Sequence, residues 1–262
     1  MPRTIRLLIS YDGSQYQGWQ RQLNGPTIQG ELEKGLAVLC GQHIPVHGAG
    51  RTDAGVHALG MTAHFLTSAT MPLIAFSKGL NTFLPPDIRV LKADETDGAF
   101  HSRFSALAKT YRYDFCTGPV LLPYLRLYMA HFPGPFDLDR LKRACNILVG
   151  THDFSSFERT GSRDRMATSG RGAVRTLFTA SCFPKIGYEP GYYSIKLTGD
   201  GFLRQMVRII AGTLVEIGQG KRPPEEMAAI LAARNRTRAG LTAPACGLFL
   251  EKIYYIHDLE TA

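Results

Sequence analysis

Apolar and polar residues recur along this chain at two spacings, and together these spacings predict a repeated order of elements. Residues 4–11 form a run rich in Ile, Leu and Tyr that predicts a strand ending at Asp12-Gly13. From Ile28 apolar residues recur at helical spacing, with Thr27 in the N-cap position and Gly41 as a stop signal. Further strands are predicted at 59–67, 87–93, 109–115, 174–183, 191–199 and 247–256, and further helices from Pro72, at 137–148, at 202–217 and from Pro223.

The order strand, helix, strands, helix, strand occurs twice among these predicted elements. It predicts an α+β fold of two similar halves, 1–105 and 106–262, that share a sheet. We expect the first half to carry the glycine-rich loop around Asp53, and the second half to carry an aromatic strand and an apolar helix.

Charge and cysteine usage narrow the class of protein. The chain has 262 residues with 30 basic and 22 acidic side chains, a net charge of +8 and a pI near 9.3. This surplus favours polyanionic partners such as nucleic acids. The cysteines form no C-x-x-C pair and the histidines show no metal-ligand spacing, so we expect reduced thiols and no metal. No apolar run reaches the ~20 residues that span a bilayer. The sequence therefore predicts a soluble, cytoplasmic protein.

One carboxylate is isolated in a glycine-rich loop. Asp53 is the only acidic residue between Glu33 and Asp87, and it lies in the run Gly48-Ala49-Gly50-Arg51-Thr52-Asp53-Ala54-Gly55. Glycine-rich backbone lets another molecule approach closely, which makes Asp53 a candidate catalytic acid. The alternative is a structural turn in which Asp53 caps a neighbouring N–H.

A basic residue in an apolar helix gives the second candidate. Arg208 lies among Met206, Val207 and Ile209, so we expect its guanidinium to be partly buried. A buried arginine needs a carboxylate partner, because its desolvation costs several kcal/mol. Asp53 fits that role, and the arginine would keep it ionised. Arg204, one turn earlier on the predicted helix, is expected near the same cleft.

Aromatic and basic residues alternate in Lys109-Thr110-Tyr111-Arg112-Tyr113. This pattern suits base stacking combined with phosphate binding, and its alternative is a half-buried strand with aromatic packing. The loop 159–172 carries four arginines among Gly and Ser. It predicts either a segment that closes on phosphates or a solvated surface loop.

Together these segments resemble the tRNA pseudouridine synthase I (TruA-type) family over nearly the whole chain. The run Gly50–Ala58 is similar to the catalytic motif of that family, and residues 11–20 to its N-terminal signature. The strings at 81–90, 109–113, 202–208 and 243–250 follow in the family order.

The resemblance implies conversion of uridine to pseudouridine at positions 38, 39 and 40 of the tRNA anticodon stem-loop. It places Asp53, Tyr111 and Arg208 in the catalytic site, and Arg51 where the target base is displaced. It further implies two α+β halves around a central, mostly antiparallel sheet with a basic cleft. It also implies tRNA as partner, a homodimer, and no cofactor or metal. Lys109, Arg112 and Arg204 are expected to bind RNA.

A single carboxylate leaves three chemical routes open: attack at C1′ of the ribose, attack at C6 of the uracil, or removal of the C2′ proton through a glycal. Hydrolytic glycosidases use two carboxylates and a water, so one acid suits an isomerase. Two other functions are alternatives. A non-catalytic tRNA-binding module or RNA chaperone fits the charge equally well. A metal-dependent nuclease would need clustered acids, which the sequence does not show.

Overall fold

The computed structural model describes residues 2–161 and 172–256. Two compact units contain them: the chain up to Lys109 together with the segment from Phe249, and the chain from Thr110 to Leu248. The fold is mixed α+β with mostly antiparallel strand pairing, as expected from the sequence. No helix among these residues is long and apolar enough to cross a membrane.

The elements of the first unit are β1 (Arg3–Tyr11), α1 (Ile28–Cys40), β2 (His47–Gly48), β3 (His57–Thr67), β4 (Ile88–Thr96) and β10 (Leu248–Tyr254), with helical turns at Ala75–Gly79 and Leu80–Thr82. The strands form a sheet in the order β4-β1-β3-β10, with the short strand β2 on β3. β1 pairs antiparallel with β3 and β4, whereas β10 pairs parallel with β3.

Local sequence accounts for the boundaries of α1. The Thr27 side chain accepts a hydrogen bond from the Gly30 amide, and Gly41 ends the helix in the left-handed conformation. Ile28, Leu32 and Leu36 are fully buried on one face of the helix. These features confirm the start and the end that the sequence predicts for this helix.

The elements of the second unit are β5 (Ala108–Cys116), β6 (Ala130–His131), α2 (Leu138–Leu148), β7 (Gly150–Asp153), β8 (Val174–Pro184), β9 (Tyr192–Gly199), α3 (Met206–Gly218) and α4 (Glu226–Ala233). The strands form a sheet in the order β5-β9-β8-β7, with the short strand β6 on β5. Helix α2 packs against β8 and against the two helices that follow it in the chain.

The structure differs from the sequence-based description at two points. β10 belongs with the first unit because it pairs with β3, whereas the sequence pattern assigned it to the second half. The helix predicted from residue 202 begins at Met206, because Gln205 has a positive φ of 62° that interrupts helical geometry. Arg204 therefore precedes α3 instead of lying on it.

Candidate active site

The Asp53 loop ends in a tight turn. The Val56 amide donates to the Asp53 carbonyl over 3.2 Å, and Gly55 between them has a φ of 76°. A positive φ at the third turn position favours glycine over residues with a Cβ. Asp53 itself is partly exposed at the start of this turn. The local sequence thus fixes the main chain on which the carboxylate is carried.

The segment that follows β1 holds this loop from the other side. The Trp19 amide donates to the Thr52 carbonyl over 3.1 Å, and the Gly55 amide donates to the Tyr16 carbonyl over 3.3 Å. Gly18 passes so close that a Cβ there would lie 2.4 Å from the Thr52 carbonyl oxygen. The two segments are therefore joined through their main chains, and a glycine is required at the crossing.

Side chains beneath the loop complete this support. The Tyr11 hydroxyl and the Thr52 hydroxyl lie 2.9 Å apart in a buried hydrogen bond. The Trp19 ring covers Gly48, where a Cβ would meet the indole at 2.4 Å. Sequence reasoning recognised residues 11–20 only as a family signature, and it missed their role in positioning the Asp53 loop.

The loop continues into β3 through a buried histidine. His57 Nδ1 accepts from the Gly13 amide over 3.2 Å and lies 3.1 Å from Asp12 Oδ1. A Cβ at Gly13 would lie 2.0 Å from the Val56 carbonyl oxygen, so this second crossing also excludes a side chain. The end of β1 and the start of β3 thus brace both sides of the turn.

The run 81–90, which also resembles a family motif, packs against the segment that follows β1. The Tyr16 hydroxyl donates to Asp87 Oδ1 over 2.6 Å, and burial, with this bond, raises the pKa of Tyr16. The Asn81 side chain bonds both the carbonyl and the amide of Val90, at 2.9 and 2.8 Å. The run 81–90 is therefore closed on itself and connected to the support of the Asp53 loop.

Two predicted RNA-binding residues also lie in the first unit. Arg51 is exposed, two residues before Asp53. The Lys109 ammonium donates to the Ala49 carbonyl over 2.8 Å, and a Cβ at Gly50 would lie 3.2 Å from Lys109 Nζ. Lys109 therefore contacts the first residues of the glycine-rich run directly.

Tyr111 lies on β5 in the second unit and is 9% exposed. Its ring meets the Phe202 ring edge to face, with centroids 5.0 Å apart and an interplanar angle of 76°. Such an arrangement is a favourable aromatic contact and fixes the plane of the tyrosine ring.

Arg208 is partly buried in the first turn of α3. Its Nε donates to the Ala243 carbonyl over 2.8 Å, and the Ala243 amide donates back to the Arg208 carbonyl over 3.1 Å. A cation is disfavoured at a helix N-terminus by the helix dipole. The side chain is therefore placed against this preference, and it is held by a carbonyl of the segment that runs alongside α3.

Arg112 and Arg204 have different surroundings in the second unit. Arg112 Nε lies 3.1 Å from Asp114 Oδ1, an ion pair whose angle does not meet hydrogen-bond geometry. Arg204 is exposed, and its carbonyl accepts from the Arg159 amide over 3.1 Å. Arg159 starts the basic loop 159–172, of which 162–171 lie outside the described residues.

The predicted residues therefore fall into two groups. Asp53, Arg51 and Lys109 belong to the first unit, where one loop connects them. Tyr111, Arg112, Arg204 and Arg208 belong to the second unit. The pairing of Asp53 with Arg208 stays a prediction from sequence. Within residues 2–161 and 172–256, no group of three or more His, Cys, Asp or Glu side chains is arranged to hold a metal ion.

Comparison with known proteins assigns this α+β fold and its loop to a family. A family model described as tRNA pseudouridine synthase matches residues 7–105 and 144–256. A Desulfotalea psychrophila protein named tRNA pseudouridine synthase A 1 is 47% identical over 253 residues, covering 97% of this chain and 100% of the relative. A Syntrophotalea carbinolica protein named tRNA pseudouridine synthase A is 43% identical, covering 96% of each chain. The Bacillus pumilus protein of that name is 42% identical, covering 96% of this chain and 98% of its own.

This chain belongs to the tRNA pseudouridine synthase family. The resemblance that the sequence motifs indicate is thereby confirmed, and with it the assignment to isomerases that modify tRNA.

Proposed function

We propose that this protein isomerises uridine to pseudouridine at positions 38, 39 and 40 in the anticodon stem-loop of tRNA. The observation that carries the proposal is the Asp53 loop. It presents one acid on a main chain that two glycine crossings hold in place, in a chain of the tRNA pseudouridine synthase family.

In this reaction the N1–C1′ bond of uridine breaks and a C5–C1′ bond forms. The C5 proton leaves and N1 gains a proton, so the product has the composition of the substrate. The target base must first leave its stack, which costs a few kcal/mol that tRNA binding offsets. We expect Arg51 to fill the vacated space and hold a phosphate.

Asp53 acts on the ribose or on the base, and we expect Arg208 to keep its carboxylate ionised. Tyr111 stacks on the uracil, and its hydroxyl assists removal of the C5 proton. The edge contact with Phe202 supports this role, because it fixes the ring plane before substrate arrives. Deuterium at C2′ distinguishes the glycal route from the other two, because only removal of the C2′ proton gives a primary isotope effect on the chemical step.

Incubation of the purified protein with unmodified tRNA transcripts tests the proposal. We expect pseudouridine at one or more of positions 38, 39 and 40, with release of tritium from C5-labelled uridine. Binding of the same tRNA without either product would favour the non-catalytic tRNA-binding function instead.

We further propose that the protein works in the cytoplasm as a homodimer, with tRNA contacting both subunits. The family resemblance supports the dimer, and the net charge of +8 supports the polyanionic substrate. Light scattering should give twice the chain mass of 28.9 kDa, and a mass of one chain would contradict the dimer.

A further inference from the structure

Lys109 is a largely buried cation beside the Asp53 loop. Its ammonium donates to the Ala49 carbonyl over 2.8 Å, and no carboxylate among residues 2–161 and 172–256 pairs with it. Burial, reinforced by the nearby Arg103 charge, lowers the pKa of Lys109 to about 8. A buried ammonium without a counter-ion is costly unless an anion joins it. The position is therefore prepared for a negatively charged ligand.

Arg103 adds a second cation to the same place. Its guanidinium is exposed and makes no ion pair within the described part of the chain. Its charge lowers the pKa of Lys109 and, after the larger effect of burial and that of His47, the pKa of His101. The charges of Arg103 and Lys109 repel each other, and a phosphate would relieve that repulsion.

Phe104 places an aromatic face next to these charges. Its side chain is 77% exposed, although its ring packs on His101 with centroids 4.3 Å apart. The Arg103 guanidinium lies 5.8 Å from the centre of the ring. His101 Nδ1 accepts from the amides of Arg103 and Phe104 at 3.1 and 3.4 Å. The ring is therefore presented to solvent by an ordered turn.

We propose that Lys109, Arg103 and Phe104 form a subsite for the tRNA strand next to the target uridine. The two cations bind a phosphodiester and the Phe104 ring stacks on an adjacent base. An exposed aromatic beside paired cations is the usual arrangement for single-stranded RNA. Gly50, which Lys109 contacts, precedes Asp53 by three residues and so lies within roughly 11 Å of it along the chain. The inference rests on the proposed function, because it takes tRNA as the ligand.

Binding of unmodified tRNA transcripts over a range of salt concentrations tests the subsite. Arg103→Gln should reduce the slope of log affinity against log salt by about one, because one phosphate contact is lost. Phe104→Ala should weaken binding roughly tenfold by removing one stacked base. Both variants should lower kcat/KM for tRNA, mainly by raising KM, because neither residue touches the reacting atoms.

Matched controls come from the same chain. Arg143→Gln removes an exposed arginine on α2, and Phe83→Ala removes a ring that is 47% exposed in the first unit. Both controls should bind tRNA as the wild type does. The subsite is overturned if Arg103→Gln keeps the salt slope of Arg143→Gln, or if Phe104→Ala binds as tightly as Phe83→Ala.

Lys109 requires a different pair of variants, because it also supports the loop. Lys109→Arg keeps the cation and should retain most of the salt slope, whereas Lys109→Met should lose about one unit of it. Equal slopes for the two variants would show a purely structural lysine and contradict the proposal. Failure of the proposed function has a separate signature: the wild-type protein would bind tRNA and release no tritium.

Discussion

One aspartate in each unit invites comparison, Asp53 in the first unit and Asp114 in the second, because their surroundings differ. Asp53 lies in a loop that is fixed by main-chain bonds of its neighbours, with glycines at the crossings. Asp114 on β5 is 2% exposed, and three side chains surround its carboxylate. Lys185 Nζ lies 2.6 Å from Oδ2, the Ser194 hydroxyl donates to Oδ1 over 2.7 Å, and Arg112 lies 3.1 Å from Oδ1.

The difference separates a carboxylate for which we propose a catalytic role from one that stabilises the fold. The carboxylate of Asp114 is neutralised within the protein, and its loss would remove an anion that two partly buried cations share. The loop of Asp53 is fixed through its main chain, so its side chain can change without loss of those bonds. We therefore expect substitution of Asp53 to lower mainly turnover, and substitution of Asp114 to lower mainly the free energy of unfolding.

The largest expected effect is on turnover by Asp53→Asn. The variant keeps the size of the side chain and removes its charge, so pseudouridine formation should fall about a thousandfold or more. Its affinity for tRNA should stay within about threefold, and its free energy of unfolding should fall by no more than about 1–2 kcal/mol, because the main-chain bonds of the loop are kept. Tritium release, tRNA binding and urea unfolding check the three expectations. Retained turnover would contradict the catalytic assignment.

Asp114→Ala should give the reverse result. Loss of the buried carboxylate should lower the free energy of unfolding by about 2–4 kcal/mol, because the partly buried Lys185 and Arg112 lose this anion. Urea unfolding measures the effect, and Asp139→Ala is the control because that acid is 85% exposed. If the two variants unfold alike, Asp114 does not stabilise the second unit.

Gly18→Ala tests the main-chain crossing under the Asp53 loop. Gly41→Ala is its control: both glycines have a positive φ, but a Cβ at Gly41 meets nothing within 4 Å. We expect a loss of about 1 kcal/mol for the control and about 3 kcal/mol for Gly18→Ala, where overpacking adds to the backbone cost. Only Gly18→Ala should also lower kcat. Equal losses of stability with unchanged kcat would show that the close approach of Gly18 to Thr52 does not position the Asp53 loop.

Arg208→Ala should lower activity and stability together. The substitution leaves the Ala243 carbonyl without its side-chain donor, and we expect a loss of about 1–2 kcal/mol in unfolding free energy. Arg143→Ala, on the exposed face of α2, should leave both unchanged. Unfolding curves and initial rates measured on the same preparations check this, and an unaltered Arg208→Ala protein would contradict the role of this arginine.

The smallest expected effect concerns acid stability in the first unit. Burial, together with the charges of His101 and His47, lowers the pKa of His64 from 6.5 to about 4. The unfolded chain therefore takes up a proton near pH 6.5 that the folded protein excludes, and stability falls as the pH drops from 6.5 toward 4. His64→Asn keeps an acceptor for the Ser102 amide and should reduce the loss between pH 7 and pH 5 by roughly 1–2 kcal/mol. An unchanged pH dependence of unfolding would refute this.

Much of the fold follows from the sequence because the long elements carry strong patterns. The strands around residues 4–11 and 109–115 and the capped helix from Ile28 occur where the pattern predicts them. The short strands β2, β6 and β7 were missed, because two to four residues are too few to show a period. The predicted start of α3 was wrong, because nothing in this apolar run of the sequence indicates that Gln205 adopts the left-handed conformation.

The candidate site was predicted in part, for a similar reason. Asp53 and Arg208 stand out in sequence, as a lone acid among glycines and a cation among apolar residues. Contacts between distant segments leave no local pattern, so the sequence does not predict the crossing of Gly18 under Thr52 or the packing of Trp19 on Gly48.

We propose that the main chain of the loop fixes the position of the carboxylate of residue 53. Single-turnover pseudouridine formation by Asp53→Glu, on tRNA already bound, is the decisive test. The variant keeps the charge and moves the carboxylate by one methylene. If the claim is right, Asp53→Glu is slowed about a thousandfold or more, like Asp53→Asn, with tRNA affinity within about threefold of the wild type. A rate within tenfold of the wild type would contradict it.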